Sequence, residues 1–189
     1  MKKTLLCLLL ALLLSLLPVC LAETAETEPV RAFLLESLKE GTVCPGAVLG
    51  ASYETVVQAG VELETEPERE GDYGGKLSQT FKVKAESGEL TLGETALREV
   101  EFQFRDDALL NVSFYCLPGT LAQPFIEQLD GLYGEHTARD TVVEGTSILT
   151  WTLQAGEQNI QLSLIQVTAD ETAYVSSIQA VAQDLLPAG

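Results

Sequence analysis

The chain has 189 residues, of which 28 are acidic and 11 basic, giving a formal net charge of −17. That balance argues against nucleic acid and anionic membrane surfaces as partners, since both need basic patches. It suits solubility outside a cell, or a basic protein partner.

The first 22 residues read as a secretory signal peptide. Lys2 and Lys3 form a positive start, Leu5 to Leu17 an apolar run, and Cys20-Leu21-Ala22 a small-residue cleavage site. The run is short for a bilayer span and no basic stop signal follows it. Cleavage after Ala22 leaves residues 23–189, with nine basic against 28 acidic residues and a net charge of −19. The alternative to release is a lipid anchor at Cys20. Leu17-Pro18-Val19-Cys20 has the outline of a bacterial lipobox, with Val19 where Gly, Ala or Ser is usual.

Residues 23–28, ETAETE, are too polar to bury and form a disordered lead into one domain over residues 29–189. Val30, Phe33, Leu34 and Leu38 predict a first helix that stops at Gly41. Thr42 to Gly46 is a loop carrying Cys44. Ser52 is a candidate N-cap for a short helix that ends at Gly60, with Val56 and Val57 as its apolar stripe. Val61 to Gly75 is charged and glycine-rich and reads as a loop. Its acidic residues match no calcium-loop spacing. Leu77 to Ala85 alternates weakly as a strand, a turn follows at Ser87-Gly88, and Glu89 to Ala96 is a connection or a short edge strand.

Leu97 to Leu117 is the strongest pattern in the chain. Val100, Phe102 and Phe104 alternate with Glu99, Glu101, Gln103 and Arg105. After Asp106-Asp107, Leu110, Val112, Phe114 and Cys116 alternate with Asn111, Ser113 and Tyr115. Side chains of a strand point alternately to opposite faces, so this is a hairpin with one buried row. Thr120 is expected to cap the next helix, with Gln123 at the capping-box position and Gly134 as its stop. Leu121, Phe125, Leu129 and Leu132 share its apolar face. Arg139 to Glu144 can supply a strand. Ser147 to Leu153 and Asn159 to Val167 predict a second hairpin with Trp151 in the core. Ala173 to Leu186 fits strand and helix patterns alike; the turn at Ala169-Asp170-Glu171 favours a last strand at about Thr172 to Ala180.

The fold class read from this order is α+β, an antiparallel sheet with two or three helices packed on one face. The order repeats, a glycine-bounded helix followed by hairpins, which divides the domain into halves 29–117 and 118–189. Gly50-Ala51-Ser52-Tyr53-Glu54-Thr55-Val56-Val57 with Gly60 resembles the glycine–helix–glycine opening of β-lactamase-inhibitor-protein-like and small outer-membrane assembly lipoprotein-like modules. Phe125 to Glu135 followed by the Trp151 strand resembles segments of the same exported group. The resemblance spans Gly50 to Val167 as an order of elements. It implies an extracytoplasmic module that binds another protein across its sheet; no inhibitory motif is matched.

Chemistry-bearing patterns are sparse. His136, the only histidine, follows the helix stop and reads as an exposed loop residue, and no nucleophile elbow accompanies it. Cys44, Cys116 and His136 match no zinc spacing, and no CxxC, phosphate loop or dinucleotide fingerprint occurs. No metal and no cofactor is expected. Glu99 and Glu101 share a face, as a glycosidase pair could, yet a solvated sheet face explains them as well. Cys44 and Cys116, the cysteines left after cleavage, are candidates for one disulfide. The leading expectation is an exported, non-enzymatic protein-binding module that uses Glu99, Glu101, Gln103, Arg105 and Tyr115. The alternatives are a secreted hydrolase of glycans with acidic catalysts, and a purely structural envelope protein.

Overall fold

The fold is given by a computed structural model, which describes residues 42–44, 47–84, 90–92 and 95–186, with the backbone alone at 42–44, 47 and 91. The expected signal peptide, the 23–28 lead, the helix at Pro29 to Gly41, the turn at Ser87-Gly88 and the lipid site at Cys20 lie outside the described residues. The first elements are a small ladder of β1 (Thr42–Cys44) with β2 (Ala47–Val48), where a plain loop was expected.

A helix and a strand series then occur twice. Helix α1 (Tyr53–Gln58) begins where Ser52 Oγ accepts from the Thr55 N–H at 3.2 Å, as the cap pattern predicts. It is followed by β3 (Arg69–Asp72), β4 (Leu77–Lys82), β5 (Thr91–Leu92), β6 (Thr95–Arg105) and β7 (Ala108–Cys116). Helix α2 (Gln123–Tyr133) precedes β8 (Thr137–Asp140), β9 (Thr146–Ala155), β10 (Gln158–Ala169) and β11 (Thr172–Ala182), with a 3₁₀ turn at Gln183–Leu185.

All pairings are antiparallel, in the order β3-β4-β6-β7-β11-β10-β9-β8, and β5 adds to β6. The last strands of the two series, β7 and β11, meet at the centre, where Ser113 faces Gln179. Each series thus runs outward from the same middle, and the first strands, β3 and β8, become the two edges. The local joints match too. The β6–β7 turn holds Asp106 and Asp107 at φ 46° and 63°, and the β10–β11 turn holds Asp170 and Glu171 at φ 50° and 62°. The second residue after each turn, Leu109 or Ala173, accepts a backbone bond from the chain entering a helix. Gly50 donates to Leu109 at 2.8 Å and Ala122 to Ala173 at 3.0 Å.

One face of the sheet is apolar from β4 to β9. Register aligns Phe81 with Phe102, Phe102 with Val112, Val112 with Ala180, Ala180 with Leu162, and Leu162 with Trp151. All six are buried. Burying a side chain such as Phe102 contributes about 1.5–3 kcal/mol. Both described helices cover this face. Tyr53 of α1 lies with ring centroids 4.6 Å from Phe81 and 5.6 Å from Phe104. Phe125 and Leu129 of α2 are buried, and Asp130 reaches Trp151.

The structure corrects several expectations. Arg69–Asp72 is an edge strand within the segment read as a loop, and Leu63 bridges to Val83. Thr120 does not cap α2. Its hydroxyl donates to the Leu117 carbonyl, and the N-cap is Ala122 without a side-chain bond. Leu121 and Leu132, placed on the buried stripe, are exposed. The strand read from Arg139 to Glu144 is shifted to Thr137–Asp140, leaving Val142 and Val143 in an exposed turn.

Candidate functional site

The opposite face of the sheet carries polar side chains. It is built by the same alternation that builds the core: each apolar residue of a strand sends its neighbour to the other side. Thr80 therefore faces Gln103, Gln103 faces Asn111, Ser113 faces Gln179, Gln179 faces Ser163 and Ser163 faces Thr150. Short side chains lie beneath longer neighbours, so Ser113, Ser163 and Ser177 are buried although neither described helix covers them.

The five residues expected to bind a partner all fall in the first half of this face; Glu99 and Glu101 lie beside Tyr115, whereas Gln103 and Arg105 lie further along β6 with other partners. Their availability differs. Glu101 is only 4% exposed, and its Oε2 accepts from Arg69 Nη2 and from Tyr115 Oη at 3.0 Å. Burial, and then the Glu101 charge, raise the Tyr115 hydroxyl above its ordinary value. Glu99 sits 3.4 Å from Lys82 Nζ and 3.3 Å from Arg98 Nη2, whose guanidinium lies over the Tyr115 ring. Lys82 is raised chiefly by its bond to Glu68. Arg105 is buried, and its guanidinium donates to the Tyr73 carbonyl at 3.0 Å and the Leu185 carbonyl at 3.5 Å. Arg105 thus holds the β3–β4 turn and the C-terminal 3₁₀ turn to the sheet end. Glu101 and Arg105 are structural ties; Glu99, Gln103 and Tyr115 are the members of the set within a partner's reach.

A groove of about 400 Å³ opens in the second half, lined by Thr137, Arg139, Ile148, Thr150, Gln161, Ser163, Ile165 and Gln179. Sequence reasoning placed the hairpin but passed over its polar row. The available signal was the Thr, Gln and Ser residues alternating with Leu149, Trp151, Leu162 and Leu164. Arg139 gave a second signal, being the only Lys or Arg from Asp106 to the C-terminus.

On the helix-bearing side, Asp130 Oδ1 lies 2.9 Å from His136 Nδ1 and accepts from Trp151 Nε1 at 3.0 Å. His136 is therefore not the exposed loop histidine its position implied; its side chain is 23% exposed. The His136 bond, more than any other contact, lowers the Asp130 carboxyl. Cys116 is a buried free thiol, pushed up to about 11 by burial. The side chain of Cys44, its expected partner, lies outside the described residues. Among the described residues no three His, Cys, Asp or Glu side chains gather as a metal cage, and no helix is long and apolar enough to cross a membrane. A second cavity, of about 450 Å³, opens on the apolar side between Val61, Val83, Leu97, Val100 and Phe114.

Comparison with protein-family models, curated proteins and solved structures finds no match to this chain.

Proposed function

We propose that this protein is an exported, non-enzymatic module that binds another protein across the polar face of its sheet. The observation that carries the reading is the face itself. It crosses strands β4 to β8, carries neither described helix, and presents hydroxyl and amide groups around a groove of about 400 Å³. Interfaces outside obligate assemblies are no more apolar than the rest of a protein surface and carry about ten direct hydrogen bonds.

The charge of the first half is balanced within the molecule, because Glu101 meets Arg69 and Glu99 meets Lys82 and Arg98. A basic partner, expected from the chain's acidic balance, would therefore meet Glu99 and Glu101 already paired within the molecule. The test is a pull-down from the native host's envelope and medium, with quantitative mass spectrometry of wild type and Thr150→Arg, which fills the groove. One protein enriched by wild type and lost with the variant is the expected result. A wild type that enriches nothing discards the reading.

A further inference from the structure

The second half of the polar face has an unbalanced charge. Arg139 stands on edge strand β8, directly across from Ile148, and makes no ion pair among the described residues. Its sequence neighbour Asp140 falls on the other face, where its carboxylate accepts from Ser147 Oγ at 2.9 Å. Beside Arg139 the groove offers Thr150, Gln161 and Gln179 as neutral hydrogen-bonding groups, with Ile148 and Ile165 as apolar patches. Among the described residues strand β8 pairs with β9 alone, so no described strand lies along its other side, and all four of its residues are exposed. The opposite edge differs. On β3, Arg69 is committed to Glu101 and Glu70 accepts from Gln79.

We propose that an extended segment of the partner adds to the sheet beside β8 and sets an acidic side chain against Arg139, with the side chain two residues away turned to the same face and the groove. This rests on the binding-module reading and names the partner's chemistry. Strand addition gains affinity from main-chain hydrogen bonds and selectivity from side-chain pockets on alternate positions. An opposite-charge pair across two strands is favourable and a like-charge pair is not. The overall negative charge of the chain does not forbid an acidic segment, because at physiological salt exposed charges beyond about 8 Å are largely screened. A glycan is the weaker candidate, since no aromatic ring lines the groove for a sugar to stack on.

The test uses the exported protein labelled with ¹⁵N and two capped peptides of alternating threonine and valine, one with a central glutamate and one with a central lysine. The glutamate peptide is expected to shift amides of Thr137 to Asp140 and of the groove, and to bind at least about threefold tighter than the lysine peptide. Arg139→Gln is expected to erase that preference while leaving the remaining spectrum in place. Equal binding of the two peptides, shifts confined to the first half, or no shift at millimolar peptide overturns the proposal. So do stronger shifts with oligogalacturonate, or concentration-dependent shifts of β8 without peptide, which would mark a second copy as the occupant. Failure here with a partner still captured by wild type and lost with Thr150→Arg leaves the module reading standing and removes only the β8 edge. Loss of both removes the module.

Discussion

Asp130 joins three parts of the molecule through one oxygen: helix α2, His136 at the entry to β8, and Trp151 in the core. Its carboxyl is held below its ordinary value, first by His136. A group whose folded pKa is depressed contributes stability that is present above its unfolded pKa and lost as pH falls through the folded one. The wild type should therefore lose stability as pH drops below about 4. Asp130→Asn should flatten the dependence in that window. Urea midpoints between about pH 5 and 2, followed by Trp151 fluorescence, measure it; parallel curves for the two proteins would refute it. Little of this was legible in sequence. His136 follows a helix stop, where a histidine is ordinarily exposed. Only the fold shows the residues after Gly134 turning back so that the ring returns to Asp130, with ring centroids 5.4 Å from Trp151. The same limit applies to Glu101 and Arg105. Alternation placed them correctly on the polar face, but their partners Arg69, Tyr73 and Leu185 come from remote elements that local pattern does not reach.

The two matching turns permit a comparison between elements. Both place two non-glycine residues in the left-handed region, which costs roughly 1–2 kcal/mol per residue and is why such hairpins favour Asn-Gly. Glu171→Gly is expected to stabilise by about 1 kcal/mol. Asp107→Gly relieves the same strain but removes the acceptor that its Oδ1 offers to the Tyr53 N–H at 3.0 Å, at the first turn of α1. It should gain little or destabilise. Denaturant midpoints of the two variants test the contrast, and equal gains would argue against a role for Asp107 in holding α1. The hairpins themselves were readable, because alternation and a two-residue turn are both local. Strand β3 was not, because REGD has no apolar row and exists by pairing with β4. The start of α2 was misread for a related reason. Thr120 has the chemistry of a cap, but Thr120 to Ala122 form backbone bonds with Ala173 and Val175, and that pairing outcompetes local capping.

For the whole molecule, the junction of β7 with β11 makes one sheet of two series, so stability should be greatest at the centre and fall toward both edges. Hydrogen exchange should be slowest in β7, β10 and β11, whose apolar rows include Val112, Leu164 and Ala180, each fully buried. It should be fastest in β3 and β8. Uniform protection, or one half opening well before the other, would contradict this gradient. The sequence by itself determined an antiparallel sheet of hairpins with helices, the buried rows of β6, β7, β9 and β10, and the order of a helix before each strand series. All of these follow from periodicity and turn chemistry within a few residues. The tertiary structure alone decided that the series join through their last strands and that β3 and β8 become edges. It also decided that Glu101 and Arg105 are consumed as internal ties while Arg139 has no ion pair among the described residues. The reason is physical: alternation assigns a side chain to a face, whereas partners, burial and edges depend on which distant strand comes to lie beside it.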